Sequence, residues 1–213
     1  MKKKILFIAT GGTISTEMDS KIQGYIAKKG GEDLISGIDL KDRQVETVNF
    51  RKINSPYMTP FDMLELGKLL KDNLPRKEIE GAVVTHGTAT LEETAFLLDL
   101  LLDTRKPVVL TGAQRPASAQ WPDGPSNLSA AFRVVCDPSA IDQGVLVVFA
   151  DRIYIGREAV KIHTTALEAF AGGEVGFVYP DRVTMKGTRR GRFCLRWPAD
   201  ELPSVDIIPF YSG

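Results

Sequence analysis

Two cysteines and two histidines are all that this chain of 213 residues carries, and their scarcity excludes several chemistries. Cys136 and Cys194 stand far apart with no C-x-x-C pair, so neither a disulfide framework nor a zinc site is expected, and both read as structural thiols of the reducing cytoplasm. Net charge is missing as well: 27 Lys+Arg against 27 Asp+Glu leave no global pull toward nucleic acid or anionic membrane. No apolar run approaches bilayer-spanning length, and the one that follows Lys2-Lys3-Lys4 stops at Gly11, too early for the apolar centre of a secretory signal. The G-x-G-x-x-G spacing and the P-loop lysine are both absent from the first glycine turn, so a nucleotide site is not supported.

What is present is the composition of a globular, enzyme-like protein, 43% hydrophobic and 25% charged. The length allows one large domain, or one domain plus an appendage. Its centre is Ile5-Leu6-Phe7-Ile8-Ala9-Thr10-Gly11-Gly12-Thr13, a strand-length apolar run that breaks at two glycines and then offers a hydroxyl. Adjacent glycines let the backbone turn through positive φ and leave room for a ligand. Thr13 thus stands at the carboxyl end of a strand, where open parallel sheets bind small molecules.

The rest of the chain alternates. Residues 17–29 are polar and glycine-punctuated and read as a loop or lid carrying Tyr25. A strand is expected over 45–50, a turn over 54–58, and a helix over 60–70 with Thr59 as cap and Pro60 in the first position. The next strand, 81–85, ends in His86-Gly87-Thr88, and Thr90-Leu91-Glu92-Glu93 has the form of a capping box for the helix that follows. Strand 108–111 leads into Gly112-Ala113-Gln114-Arg115-Pro116, a helix covers 127–136, and 144–150 is an all-apolar strand. Such alternation predicts an α/β fold, a mostly parallel sheet with helices on both faces. Beyond residue 150 a β-hairpin region is expected: 152–165 as a hairpin with Lys161 inside a mostly apolar strand, then 181–197 as a solvated hairpin face bearing Lys186, Arg189, Arg190, Arg192 and Arg196. A lysine in an apolar strand needs a partner or a purpose, because unpaired burial is costly. Three strands end in threonine next to glycine or histidine, and that convergence on one rim is the strongest functional signal of the residues themselves.

Ala9-Thr10-Gly11-Gly12-Thr13-Ile14, Thr85-His86-Gly87-Thr88, Glu92-Glu93-Thr94-Ala95, Gly112-Ala113-Gln114-Arg115-Pro116, Asp123-Gly124-Pro125 with Asn127-Leu128, and Gly156-Arg157 with Lys161 together resemble the bacterial L-asparaginase/glutaminase family. They lie in the same order and at matching spacing over nearly the whole chain. The resemblance implies an amidohydrolase without metal or cofactor, in which a threonine hydroxyl attacks a side-chain amide through a covalent acyl-enzyme. Carried over by position, Thr13 is the nucleophile with Tyr25 close by, and Thr88 pairs with Lys161. Backbone amides after Thr88 and near Ala113 stabilise the oxyanion, Ser55 holds the α-carboxylate, and Gly12, Gly87 and Ala89 complete the substrate-binding set.

Three departures qualify the resemblance. Ala89 stands where the family has an aspartate that binds the substrate's α-ammonium, and Pro56 where it has a glutamine ligand. The third ligand, an acid, comes from the family's second domain. The expected substrate is therefore an amide whose α-ammonium is absent or masked; the alternative is a weakly active or non-catalytic binding or assembly protein. Residues 1–182 match the family's amino-terminal domain, and 183–213 its linker and the first strand of a missing carboxyl-terminal domain. An apolar strand left unpaired there, near 205–208, leads us to expect a homo-oligomer.

Overall fold

The computed structural model describes residues 2–21, 23–40, 43–187, 193–198, 202, 203 and 205. In chain order the first half holds β1 (Lys4–Gly11), β2 (Thr16–Asp19), β3 (Gly24–Ala27), α1 (Gly31–Ile35), β4 (Gln44–Ile53), α2 (Pro60–Asn73), β5 (Ile79–Thr85) and α3 (Leu91–Leu101). The second half holds β6 (Val108–Thr111), α4 (Gly124–Val135), β7 (Val145–Phe149), β8 (Arg152–Ile155), β9 (Val160–Lys161), β10 (Phe170–Ala171), β11 (Glu174–Val178) and β12 (Val183–Met185). Eight of these strands form one sheet in the order β12-β11-β8-β7-β6-β5-β1-β4. Strands β4, β1, β5, β6 and β7 run parallel, and β8, β11 and β12 extend the sheet antiparallel. The expected α/β architecture is therefore the one observed.

Burial explains the strand composition. Ile5, Leu6, Phe7 and Ile8 of β1 are all fully buried, as a strand covered on both faces requires. Leu66 and Leu70 of α2 pack with Leu91 and Leu98 of α3 over one face. On the other, Leu128, Ala131, Phe132 and Val135 of α4 meet Ile5 and Phe7, with the rings of Phe7 and Phe132 5.7 Å apart. Helix α2 begins where its cap chemistry says it should: the Thr59 hydroxyl accepts from the Asp62 amide at 3.2 Å, and the Asp62 carboxylate accepts from the Thr59 amide at 2.9 Å.

Four expectations need correction. Where a loop or lid was expected over 17–29, residues 16–19 and 24–27 pair as antiparallel strands, β2 with β3, and Met18 faces Tyr25. Residues 152–165 do not pair with one another: β8 joins the main sheet beside β7, and β9 pairs with β10. The reason is a tight turn at Ala150 and Asp151, whose φ values of 47° and 62° are those of a primed hairpin turn built without glycine. Lys161 thus lies in a two-residue strand whose apolar neighbours Val160 and Ile162 are exposed rather than buried in a core strand. The α3 capping box does not form, because the Thr90 hydroxyl donates to the Ser55 carbonyl at 2.8 Å instead. Of the basic run, Arg189, Arg190 and Arg192 lie outside the described residues, as does most of the strand expected near 205–208. Among the described residues no helix is long and apolar enough to cross a membrane.

Candidate active site

Three loops leave the carboxyl ends of β1, β4 and β5 and touch. Gly12 has φ of 79°, and a Cβ added to it would lie 2.6 Å from the Gly87 backbone. A Cβ on Gly87 would in turn lie 2.6 Å from the Ser55 hydroxyl oxygen. Both glycines are therefore set by close approach, the first also by a left-handed backbone. The contact leaves a cavity of about 520 Å³ whose walls include Thr13, Tyr25, Ser55, Thr88, Ala89 and Gln114. Three larger cavities, about 910, 750 and 590 Å³, lie against α2 and α3 and share no residue with it.

Thr13 opens a single 3₁₀ turn, closed where the Gly12 carbonyl accepts from the Ser15 amide at 3.0 Å and the Ser15 hydroxyl at 2.8 Å. Tyr25, on β3, is 52% exposed at the mouth. Across the cavity Thr88 is nearly buried, and its hydroxyl oxygen accepts from Lys161 Nζ at 2.7 Å. The Lys161 backbone amide is held by the Glu92 carboxylate from the first turn of α3. Burial lowers the Lys161 pKa below the usual lysine range, with the Glu92 charge opposing it. A lysine so placed gives up its proton more readily than a free one, which suits a general base.

Beneath Thr88, buried His86 is kept neutral, its pKa pushed down to about 4 by burial. The Gly87 carbonyl, 2.8 Å from Nδ1, accepts only, so Nδ1 carries the proton and Nε2 accepts from the Thr94 hydroxyl at 3.0 Å. His86 is thus a bracket that fixes the Gly87-Thr88 loop to α3. Ser55 is buried too, and its hydroxyl oxygen accepts from the Ala89 amide at 3.0 Å. That amide is the one the resemblance reserves for the oxyanion, so an oxyanion bound there displaces or shares this bond.

Seven of the sequence-derived residues, Gly12, Thr13, Tyr25, Ser55, Gly87, Thr88 and Ala89, line one cavity. Lys161 reaches it through Thr88. Ala113 is buried, packed near Gly124 behind the wall. The strand-end threonines that carried the signal are structural: Thr10 donates to the Thr85 carbonyl at 2.9 Å and Thr111 to the Val148 carbonyl at 2.7 Å, all of them fully buried. The sequence reading did not single out Gln114, Tyr57 and Asn54, which also line the cavity. For Gln114 the signal was available, a long polar side chain directly after Gly-Ala at a strand's carboxyl end. Among the described residues none that lines the cavity is charged. Among the described residues no group of three or more His, Cys, Asp or Glu is placed to hold a metal ion.

Residues 4–189 match the family model described as "Asparaginase, N-terminal". The chain is 39% identical to "L-asparaginase 2" of Bacillus subtilis (strain 168), over 98% of its own length and 59% of the relative's. With "L-asparaginase 2" of Escherichia coli (strain K12) the identity is 36%, over 98% and 63% respectively. The crystal structure of a "Probable Cytoplasmic L-asparaginase" from Campylobacter jejuni superposes with a TM-score of 0.82 at 35% identity, covering 88% of this chain and 60% of that one. The chain thus spans about three fifths of the relatives it matches.

Proposed function

The chain belongs to the asparaginase family, and from that premise we propose that it is the nucleophile-bearing part of an amidohydrolase acting on a small-molecule amide. The observation that carries the proposal is the 2.7 Å contact of Lys161 Nζ with the Thr88 hydroxyl on the wall of a cavity that Thr13 also lines.

In this mechanism the Thr13 oxygen adds to the amide carbon as its proton passes toward the Thr88–Lys161 pair. The tetrahedral oxyanion meets the backbone amides of Ala89 and Ala113, and its collapse expels ammonia, which takes the proton. Water then cleaves the acyl-enzyme to free the acid and restore Thr13. Tyr25 covers the nucleophile from the β2–β3 hairpin, and Ser55 holds the substrate's carboxylate. The absence of charge among the lining residues, with Ala89 and Pro56 on the wall, supports a substrate whose α-ammonium is absent or acylated. An unpaired ammonium desolvated there would lose several kcal/mol.

The match over residues 4–189 supports a division near residue 182, and we extend the proposal to a homo-oligomeric, cytoplasmic protein. The Campylobacter jejuni relative, a probable cytoplasmic L-asparaginase, favours that location. A second reading, a weakly active or non-catalytic binding or assembly protein, is favoured by the engagement of the Ala89 amide with Ser55.

Steady-state hydrolysis of L-asparagine, an N-acyl asparagine and succinamate decides among these. The masked amides are expected to exceed free asparagine in kcat/KM by ~100-fold, the equivalent of a few kcal/mol, with Ala89→Asp narrowing the gap. Brisk turnover of free asparagine at low KM would refute the substrate class. Failure to trap an acyl group on Thr13 by mass spectrometry, with Thr13→Ala unchanged in rate, would refute the hydrolase.

A further inference from the structure

We propose that Gln114 is a positioning residue whose carboxamide fixes the direction of the Thr88 hydroxyl proton, pointing it away from Lys161. The inference rests on the hydrolase reading only for its consequence in catalysis; the geometry itself is independent of it.

Hydrogen-bond polarity settles the arrangement. Gln114 Nε2 lies 3.0 Å from the Ala166 carbonyl and 3.3 Å from that of Thr164. Carbonyls only accept, so the amide nitrogen must face them and the carbonyl oxygen must face the other way. There Oε1 stands 3.1 Å from the Thr88 hydroxyl. Since Oε1 also only accepts, Thr88 must donate its single proton to it. The threonine oxygen then has only lone pairs left for Lys161, which donates at 2.7 Å. One chain of donors results, from Lys161 to Thr88 to Gln114 to the two carbonyls.

Both ends of that chain are held. The Gln114 backbone amide donates to Asp123 Oδ2 at 2.9 Å. The turn that carries the two carbonyls is closed by His163 Nδ1, which accepts from the Thr165 amide at 3.1 Å and the Ala166 amide at 2.9 Å. Around Lys161, α3 supplies the Glu92 carboxylate, the loop after β5 supplies the Thr88 hydroxyl, and the paired strand β10 contributes uncharged Phe170 and Ala171. A threonine that offers only lone pairs favours the ammonium form of the lysine. For Lys161 to serve as a base, the Thr88 proton must swing from Gln114 to the amine, so Gln114 sets the pH at which that happens. An uncharged amide thereby steadies the pair on a wall where residue 89 is alanine.

The test is the titration of Lys161, followed by NMR of the full chain labelled with 13Cε-lysine and assigned with Lys161→Met. In Gln114→Met the freed Thr88 proton turns to the amine, and the midpoint is expected to fall by about half a pH unit or more, the size of one neutral hydrogen bond. The acid limb of the kcat/KM profile moves down with it. In a Thr88→Val background the Gln114→Met shift is expected to vanish, because the relay is gone. An unmoved midpoint, or a shift that persists without Thr88, overturns the proposal; Gln114→Asn, too short to span both partners, serves if the methionine variant does not fold. A moved midpoint in a protein that hydrolyses no amide upholds the role of Gln114 and sinks the hydrolase reading, while an active enzyme with an unmoved midpoint does the reverse.

Discussion

The amino ends of β1, β4 and β5 carry a mesh of paired charges, whereas the carboxyl ends of the same strands open on a cavity lined, among the described residues, by none. At the first end Arg76 reaches Glu46 at 2.6 Å and Glu78 at 2.8 Å, Lys4 adds a contact to Glu46 at 3.2 Å, and Arg43 meets Glu80 at 3.1 Å. The Arg76 guanidinium holds the Glu46 carboxyl down to about 2. At the second end Lys161 donates to a hydroxyl rather than a carboxylate, and burial lowers its pKa. Burial lowers the pKa of Lys106 at the first end as well, where its Nζ donates to the Leu74 and Arg76 carbonyls; what sets the second end apart is that the partner of its lysine is the hydroxyl of a residue lining the cavity. In open α/β sheets ligands bind outside the carboxyl ends of the strands, and the difference in pairing gives that rule a local electrostatic content.

The largest effect should come from removing the cation of the cavity end. Lys161→Met is expected to lower kcat/KM on a masked amide by ~10³-fold, within the range of lost general-base catalysis, and to leave the melting temperature within about 2 °C, since burial already disfavours the charge. Thermal unfolding beside initial rates checks both. A melting point lowered by many degrees with activity retained would make Lys161 a structural residue and erase the contrast.

Acid separates the two ends by pH window. His86 binds its proton only near pH 4 when folded but near 6.5 when unfolded. The unfolded state therefore takes up more protons in between, and stability falls as pH drops from 6.5 to 4. The full loss is on the order of 3 kcal/mol. Glu46, depressed to about 2 from 4.5, has the opposite charge type but the same direction: its contribution is present above 4.5 and is lost as pH falls toward 2. Denaturant unfolding of His86→Gln at pH 7 and pH 4.5 should show a smaller difference than the parent. An unchanged difference would mean that His86 is not the group that titrates.

How much of this was legible depended on sequence distance. The strand at Ile5–Ile8 and the Gly11-Gly12 turn are local statements of burial and backbone freedom, and both were read from the residues. So was the Thr59-Pro60 helix start, because a cap and its amides lie within one turn. Thr90 was misread as a capping residue since its competing acceptor, the Ser55 carbonyl, is 35 positions away. The Ala150-Asp151 turn was missed because neither residue advertises positive φ. The Thr88–Lys161 pair, 73 residues apart, entered through the family resemblance, as no spacing rule reaches that far. Gln114 was quoted only as part of a motif and given no role: its partners lie 26, 50 and 52 positions off, and only the folded chain brings them to one amide.

The smallest effect belongs to the amino end and tests the contrast from the other side. Arg76→Met removes the guanidinium from Glu46, Glu78 and the Asn73 side chain, to which Nη1 donates at 3.0 Å. All three charged side chains keep a fifth to a third of their surface in solvent, so each pair contributes only about 0–1 kcal/mol. A network of this kind should lose ~1 kcal/mol, or roughly 2–4 °C for a chain of this size, and less in high salt, which screens exposed pairs. Hydrolysis should not change, because no part of the network lines the cavity. A change in kcat/KM without one in stability would mean that charge at the amino ends is felt through the strands at Thr88, and the two ends would then have to be treated as one electrostatic unit.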